Sequence, residues 1–460
     1  MVNAPIHVAV TAQSVCQSCR IGKQRCDKSL PSCSRCASKR LHCTYVGTVT
    51  PPLLLRRPCC LDLSDHIARD LLEAARADHS SSNLSKLISS VFQSAQVTVE
   101  SLIDDYFFTI HTWLPIIDEE HFRSRLRFWP QTNDRPLATL VWSLLLVTRW
   151  PCVDGKHSMN NSLYQTTRQL FVVQISGAVT LELLQAGLLI TYYACGHGLP
   201  REAYVTLTTC VTIAQLIGFD FAEMSDNSLD QSEHSTCRWA VVLLDRMIAL
   251  SSLTDPLPSV LPPHFGPHTD CLFSFLDSNE QKRSFDVSSR AALHLGIALS
   301  YANDPRPVRL AGSTYSDTYC RTERLVRDLL CAPRTAPDSY TYCEGTSFAV
   351  SALLALQTAS PSGEESQKNS KEVLLLQSTL RMIRENLRMS TYILQEKSTN
   401  GLSVLALCAL SRVAVIFVRL YISELTSQDF EMMRSNLERF ATRWAVCRRY
   451  LEYIDEIVAC

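Results

Sequence analysis

The 460-residue chain carries none of the short motifs that mark common catalytic machinery. It has no H-E-x-x-H zinc-protease helix, no G-x-S-x-G nucleophile elbow, no Walker A phosphate loop and no G-x-G-x-x-G dinucleotide fingerprint. Its first fifteen residues, MVNAPIHVAVTAQSV, lack the basic start and the continuous apolar stretch of a secretory leader, so disulfides are not expected. No charge of either sign dominates, with 44 basic against 45 acidic side chains and a formal net charge of −1. Leu402 to Ile422 approaches the length of a membrane span, yet Arg412 and Arg419 fall near one helical face and would be costly at a bilayer centre. A buried core helix is therefore expected there, and no membrane partner. An acidic tail is also missing, because Arg434, Arg439, Arg443, Arg448 and Arg449 leave the C-terminal region mixed in charge.

Against these absences stands one dense feature. Of 19 cysteines, Cys16, Cys19, Cys26, Cys33, Cys36 and Cys43 fall as C-x2-C-x6-C-x6-C-x2-C-x6-C, two copies of one spacing joined by a short loop. Zinc takes four ligands in a tetrahedron and thiolate is the softest side chain available. Six thiolates complete two such tetrahedra when two sulfurs are shared, and the symmetric candidates are Cys16 and Cys33, which open the two halves. Each half then starts a short helix at C-x2-C and returns extended to its third ligand. The other 13 cysteines are scattered without a second zinc-type spacing and are expected to pack as small apolar residues.

The charge of this segment points to its partner. Arg20, Lys23, Arg25, Lys28, Arg35, Lys39 and Arg40 face one acid, Asp27, which gives +6 before the metal centre is counted. Six thiolates with two zinc ions contribute −2, leaving +4 on 28 residues in a chain whose total is −1. A compact cationic module on a near-neutral protein is the electrostatic footprint of nucleic-acid binding. A zinc knot that is purely structural, or that binds protein, is the competing expectation.

The stretch CQSCRIGKQRCDKSLPSCSRCASKRLHCTY, Cys16 to Tyr45, resembles the fungal Zn2Cys6 binuclear-cluster transcription regulators. The matching features are the Arg after the second cysteine, Lys23, the Cys26-Asp27 pair and Pro31 before the second half. The resemblance implies a first helix whose C-terminal end enters the major groove of double-stranded DNA, with Lys23 reading a CGG-type triplet through guanine edges. Arg20 and Arg25 match phosphate-holding positions, and Lys28 belongs to the same basic set. Many members carry a second base-reading cation just before the place of Lys23, where this chain has Gly22, so Lys23 is expected to be the main base reader.

The remaining length is read as mainly α. Residues 1–15 are expected to be a disordered N-terminus, 16–43 the Zn2Cys6 DNA-binding domain, and 44–98 a linker with one local amphipathic helix over Leu61 to Ala77. Apolar positions such as Ile67 and Leu71 do not continue for three heptads, so no dimerising zipper is supported. Residues 99–359 are expected to form an all-α middle regulatory domain, 360–371 a flexible loop, and 372–460 a C-terminal helical region packed on that domain. Leu102, Ile103, Tyr106, Phe107, Ile110 and Leu114 repeat at helical spacing up to Pro115. Thr180 caps a helix to Cys195-Gly196, and a second runs from Ala203 to Ile217 with Gly218 at its end. Tyr106 to Phe122 and Cys237 to Ser252 resemble the middle homology region of the same family. Asp245 and Arg246 in the latter helix are adjacent, so they are not expected to face each other.

The chain is thus expected to be a nuclear, zinc-dependent, sequence-specific regulator of RNA polymerase II genes and not an enzyme. The resemblance implies a pathway-specific activator, in secondary metabolism or nutrient use, holding two Zn2+ ions. It leaves open coregulator proteins, a small-molecule effector and a homodimer. The alternative is a ligand-sensing helical regulator that acts mainly through protein partners, with polar groups such as His111, Tyr192 and His197 set either in a cavity or in satisfied interhelical positions.

Overall fold

Helices begin where the sequence supplies a side-chain acceptor for the first free amides. In the computed structural model Asn83, Thr98, Asp118, Asp134, Asn161 and Thr180 each accept a backbone N–H from the first turn of the helix that follows. The structure describes residues 15, 19, 20, 22, 24–28, 33–39, 63–76, 83–151, 158–221, 232–251, 257–261, 284–303, 315–331, 343–358 and 426–459, with single positions between 381 and 418. Two units are distinguished, Met1–Arg57 and Pro58–Cys460. There is no β-strand among the described residues.

The first unit holds the short helix α1 (Ser34–Ser38). The second runs α2 (Asp65–Arg76), α3 (Leu84–Ser94), α4 (Val99–Phe108), α5 (Glu119–Arg125), α6 (Arg135–Val147), α7 (Ser162–Ile175), α8 (Leu181–Gly196) and α9 (Pro200–Leu216). It continues with α10 (Glu233–Ser251), α11 (Ser284–Asn303), α12 (Tyr315–Cys331), α13 (Cys343–Thr358), α14 (Ser427–Ala441) and α15 (Val446–Ala459).

Two helices with no polar face form the centre. α6 is buried from Leu137 to Val147 and α8 from Leu183 to Gly196, the signature of helices enclosed on every side. α8 packs on α6, α7, α9 and α10. At Gly187 a Cβ would lie 2.5 Å from Cys210 Sγ and 2.7 Å from Phe171 Cζ, so the missing side chain lets α7, α8 and α9 close on one another. The α8–α9 hairpin ends as its sequence implies: Gly218 has φ +90°, its N–H bonds Gln215 O, and Phe219 N–H bonds Ala214 O at 2.8 Å, a Schellman termination.

The C-terminal pair packs α14 on α15, with a capping box between Thr426 and Asp429 opening α14. Between the two helices, the buried Arg443 donates to Val147 O at 2.6 Å and Arg149 O at 2.7 Å, at the carbonyl end of α6. The partial negative charge of that helix end suits a buried cation. Its guanidinium also lies 4.1 Å from the centre of the Trp444 ring, while burial pushes its pKa down to about 10.

Three sequence expectations are refined here. α4 ends at Phe108, before Leu114, with Thr109 as its C-cap, and Ile110 and Leu114 bury in the turns that follow. α2 falls within the helix expected over Leu61 to Ala77, and α3 is a further helix within the segment 44–98; their Leu71, Leu84, Ile88 and Phe92 join the apolar core. Asp245 and Arg246 do meet: Arg246 Nη1 lies 2.6 Å from Asp245 Oδ2 with both side chains buried. Neighbouring positions on a helix diverge, but both turn to the same loop, where Val260 N–H donates to Asp245 at 2.7 Å and Ser259 Oγ donates at 3.0 Å. The expected loop at 360–371 lies outside the described residues. Within Leu402 to Ile422, the described Val404, Leu405, Leu407, Ala414, Val415 and Val418 are all buried, and no helix among the described residues is long and apolar enough to cross a membrane.

Candidate metal centre and nucleic-acid interface

Among the described residues of the first unit there is little apolar material beyond cysteine. The buried set of its described residues is Cys19, Cys33 and Cys36, with Val15 and Cys26 packed against them. Backbone and side-chain hydrogen bonds shape the turns around the cysteines. Gln24 N–H donates to Cys19 O at 2.8 Å, turning the chain after the first C-x2-C. The Asp27 carboxylate accepts from Ser34 N–H at 3.1 Å and from the Ser34 hydroxyl, capping α1 across the loop. Between them Lys28 takes φ 60°, a left-handed conformation.

Cysteines of the two halves are brought together. The ligand atoms of Cys19, Cys26 and Cys33 all lie within 4.8 Å of one another. Cys19 Sγ is 3.7 Å from Cys33 Sγ and 4.0 Å from Cys36 Sγ. These distances are nearly twice a disulfide bond of about 2.05 Å. The Cys19–Cys33 distance matches the roughly 3.8 Å edge of a thiolate tetrahedron built on a Zn–S bond of about 2.3 Å. The donor set therefore fits zinc in chemistry and in spacing. Backbone and side-chain donors support the sulfurs: Cys36 N–H points to Cys33 Sγ at 3.4 Å and Arg35 Nη1 to Cys19 Sγ at 3.7 Å.

Of the expected ligands, Cys19, Cys26, Cys33 and Cys36 are described and converge, while Cys16 and Cys43 lie outside the described residues. Of the expected DNA contacts, Arg20 and Arg25 are exposed and Lys28 is half-buried, whereas Lys23 is outside the described residues; Gly22 occupies an exposed turn. Lys39 adds a further exposed cation beyond α1. Sequence reasoning missed the Asp27 cap and the Arg35–Cys19 contact. The first spans seven residues and the second sixteen, beyond the local spacings on which cap rules operate.

In the helical unit, the polar groups considered for a cavity are built into the packing. His197 Nδ1 accepts from Ala445 N–H at 3.4 Å, and burial beside Arg443 holds its pKa well below the ordinary value, so it is neutral. Tyr192 accepts Val404 N–H at 3.4 Å, and His111 packs against the rings of Tyr106 and Phe107. A cleft of about 470 Å³ beside the α8–α9 turn is lined by both signs of charge, among them Arg201, Glu202, Arg449 and Glu452.

Comparison with known proteins agrees with this geometry. Residues 14–49 match the model of the fungal Zn(2)-Cys(6) binuclear cluster domain. The chain is also 32% identical over 151 residues to Transcription factor BOA15 of Botryotinia fuckeliana (strain B05.10), an alignment covering 30% of this chain and 80% of that protein. No solved structure matches the chain significantly.

Proposed function

Because the chain belongs to the fungal Zn(2)-Cys(6) binuclear-cluster transcription factors, DNA-binding regulators rather than enzymes, we propose that it reads CGG-type triplets in the nucleus as a pathway-specific activator. The domain binds two zinc ions and the chain is a DNA-binding transcription regulator. In the proposed assignment Cys16 and Cys33 bridge the ions, and Cys19, Cys26, Cys36 and Cys43 are terminal ligands. The observation that carries this division is the position of Cys33. It opens the second C-x2-C pair, yet its sulfur groups with Cys19 and Cys26 of the first half. A sulfur shared between the halves needs that placement.

Lys23 is proposed as the base reader, paired to guanine O6 and N7, with Arg20, Arg25 and Lys28 neutralising phosphates. Two features support the split: Arg20 and Arg25 are exposed on either side of Lys23, and Gly22 offers no side chain for a base edge. Binding of matched and mismatched duplexes by the full chain tests it. Lys23→Ala should lose about 1–3 kcal/mol of discrimination against the wrong triplet, while Arg20→Ala should weaken all duplexes alike. Equal losses on every duplex from both variants would overturn the division of roles.

A further inference from the structure

The cations of the cysteine unit do not all face outward. Arg20, Arg25 and Lys39 are exposed, Lys28 and Arg35 are half-buried, and Arg35 directs Nη1 inward to Cys19 Sγ at 3.7 Å. We infer that Arg35 is a positioning residue of the zinc centre, holding the Cys19 thiolate in place, and is not one of the phosphate contacts. The inference rests on the two-zinc assignment above.

Three observations carry it. Arg35 lies in α1, which belongs to the second half, while Cys19 belongs to the first, so the contact ties the halves together across sixteen residues of sequence. Charge favours the same geometry. Six thiolates exceed the charge of two zinc ions by two, and a fixed cation hydrogen-bonded to a ligand sulfur offsets part of that excess. Guanidinium suits this role because its planar donors stay charged and need little ordering to point at one acceptor.

The third observation is an asymmetry between the halves. Aligned on their cysteines, Cys33-Ser34-Arg35-Cys36 matches Cys16-Gln17-Ser18-Cys19, so the place of Arg35 in the first half is filled by a short neutral serine. Two metal positions with the same six-cysteine pattern are thereby made unequal. The ion ligated by Cys19 has a cationic tie, and loss of Arg35 weakens that position first.

The test is a zinc competition on the full chain without DNA, using a colorimetric chelator and comparing wild type with Arg35→Ala, Arg35→Lys and Arg20→Ala. Arg35→Ala should surrender one zinc equivalent about 10- to 100-fold more readily, the usual range for a lost outer-shell partner, while the second follows the wild-type curve. Arg35→Lys should recover much of the retention, and Arg20→Ala should release zinc as wild type does. With zinc saturating, the salt dependence of DNA binding gives a second readout. Arg20→Ala should lower the log–log slope by about 0.9, as one lost phosphate contact does, and Arg35→Ala should leave it unchanged. Wild-type zinc release by Arg35→Ala, or a slope that falls as in Arg20→Ala, would overturn the inference. If Arg35→Ala fails to hold two ions at any zinc concentration, Arg35→Lys decides: restored stoichiometry supports the cationic tie, and failure of both variants contradicts it. Absence of DNA binding by the wild type would strike the functional proposal alone, since zinc release is read without DNA.

Discussion

The two units of this chain solve the problem of stability by opposite means. The helical unit buries large side chains, Trp142, Tyr193, Phe348 and Trp444 among them, and is held by apolar contact. The cysteine unit buries Cys19, Cys33 and Cys36 and little else among its described residues, so its folding free energy must come from metal. Cysteine itself changes meaning between them. In the first unit sulfurs gather within 4.8 Å, whereas in the second Cys210 and Cys237 sit in the core, where burial pushes both thiols up and keeps them protonated. The lesson is that spacing, and not abundance, marks a cysteine as a ligand.

The contrast can be broken most directly by removing the metal. Chelation should cost the cysteine unit on the order of 10–16 kcal/mol, the free energy supplied by structural zinc, and abolish DNA binding. The helical unit should keep its circular dichroism signal and thermal midpoint, because its core is its own. Cys33→Ser should act in the same direction, and a variant that still bound two zinc ions would refute the bridging role. The reciprocal experiment is Trp142→Ala. This fully buried ring stacks 6.0 Å from Phe92, and its loss should destabilise the helical unit by about 3–5 kcal/mol in denaturant melts while zinc stoichiometry stays at two.

Acid sharpens the comparison further. Burial lowers the His294 pKa from 6.5 to about 4, so as pH falls the unfolded chain takes up the proton first. His294 therefore contributes its full stability above pH 6.5, and that contribution drains away between pH 6.5 and about 4. The amount is on the order of 3 kcal/mol, and His294→Gln should flatten this part of the stability–pH curve for the helical unit. The smallest effect is expected at Lys28. Its φ of 60° costs a side-chain-bearing residue roughly 1 kcal/mol. Lys28→Gly should therefore tighten zinc retention slightly in chelator competition, while the salt slope of DNA binding falls by about 0.9 with one phosphate contact gone.

Legibility in the sequence followed the range of each interaction. The convergence of Cys19, Cys26, Cys33 and Cys36 was readable because C-x2-C and its six-residue spacing are local patterns, and the α8–α9 hairpin because Thr180 and Gly218 mark its ends. Of the two central helices, α8 was readable from the apolar run after Thr180, whereas α6 was not singled out. Contacts made through loops were not readable. Arg35 reaches Cys19 and Asp27 caps Ser34 only after the chain has turned back on itself, and Asp245 meets Arg246 because Ser259 and Val260 draw the carboxylate toward the loop. α2 was legible as the amphipathic stretch Leu61 to Ala77, whereas α3 was masked by the serines at 80 to 82, which read as linker although Leu84 and Phe92 are core residues.

The central claim is that a zinc-held cysteine module gives this chain its DNA address. Selection of random duplex DNA by the zinc-loaded full chain, at fixed salt and beside a chelated control, tests it most directly. The account predicts enrichment of a CGG-type triplet that disappears on chelation. Enrichment that survives chelation, or salt-sensitive binding with no triplet preference in the zinc-loaded protein, would contradict it.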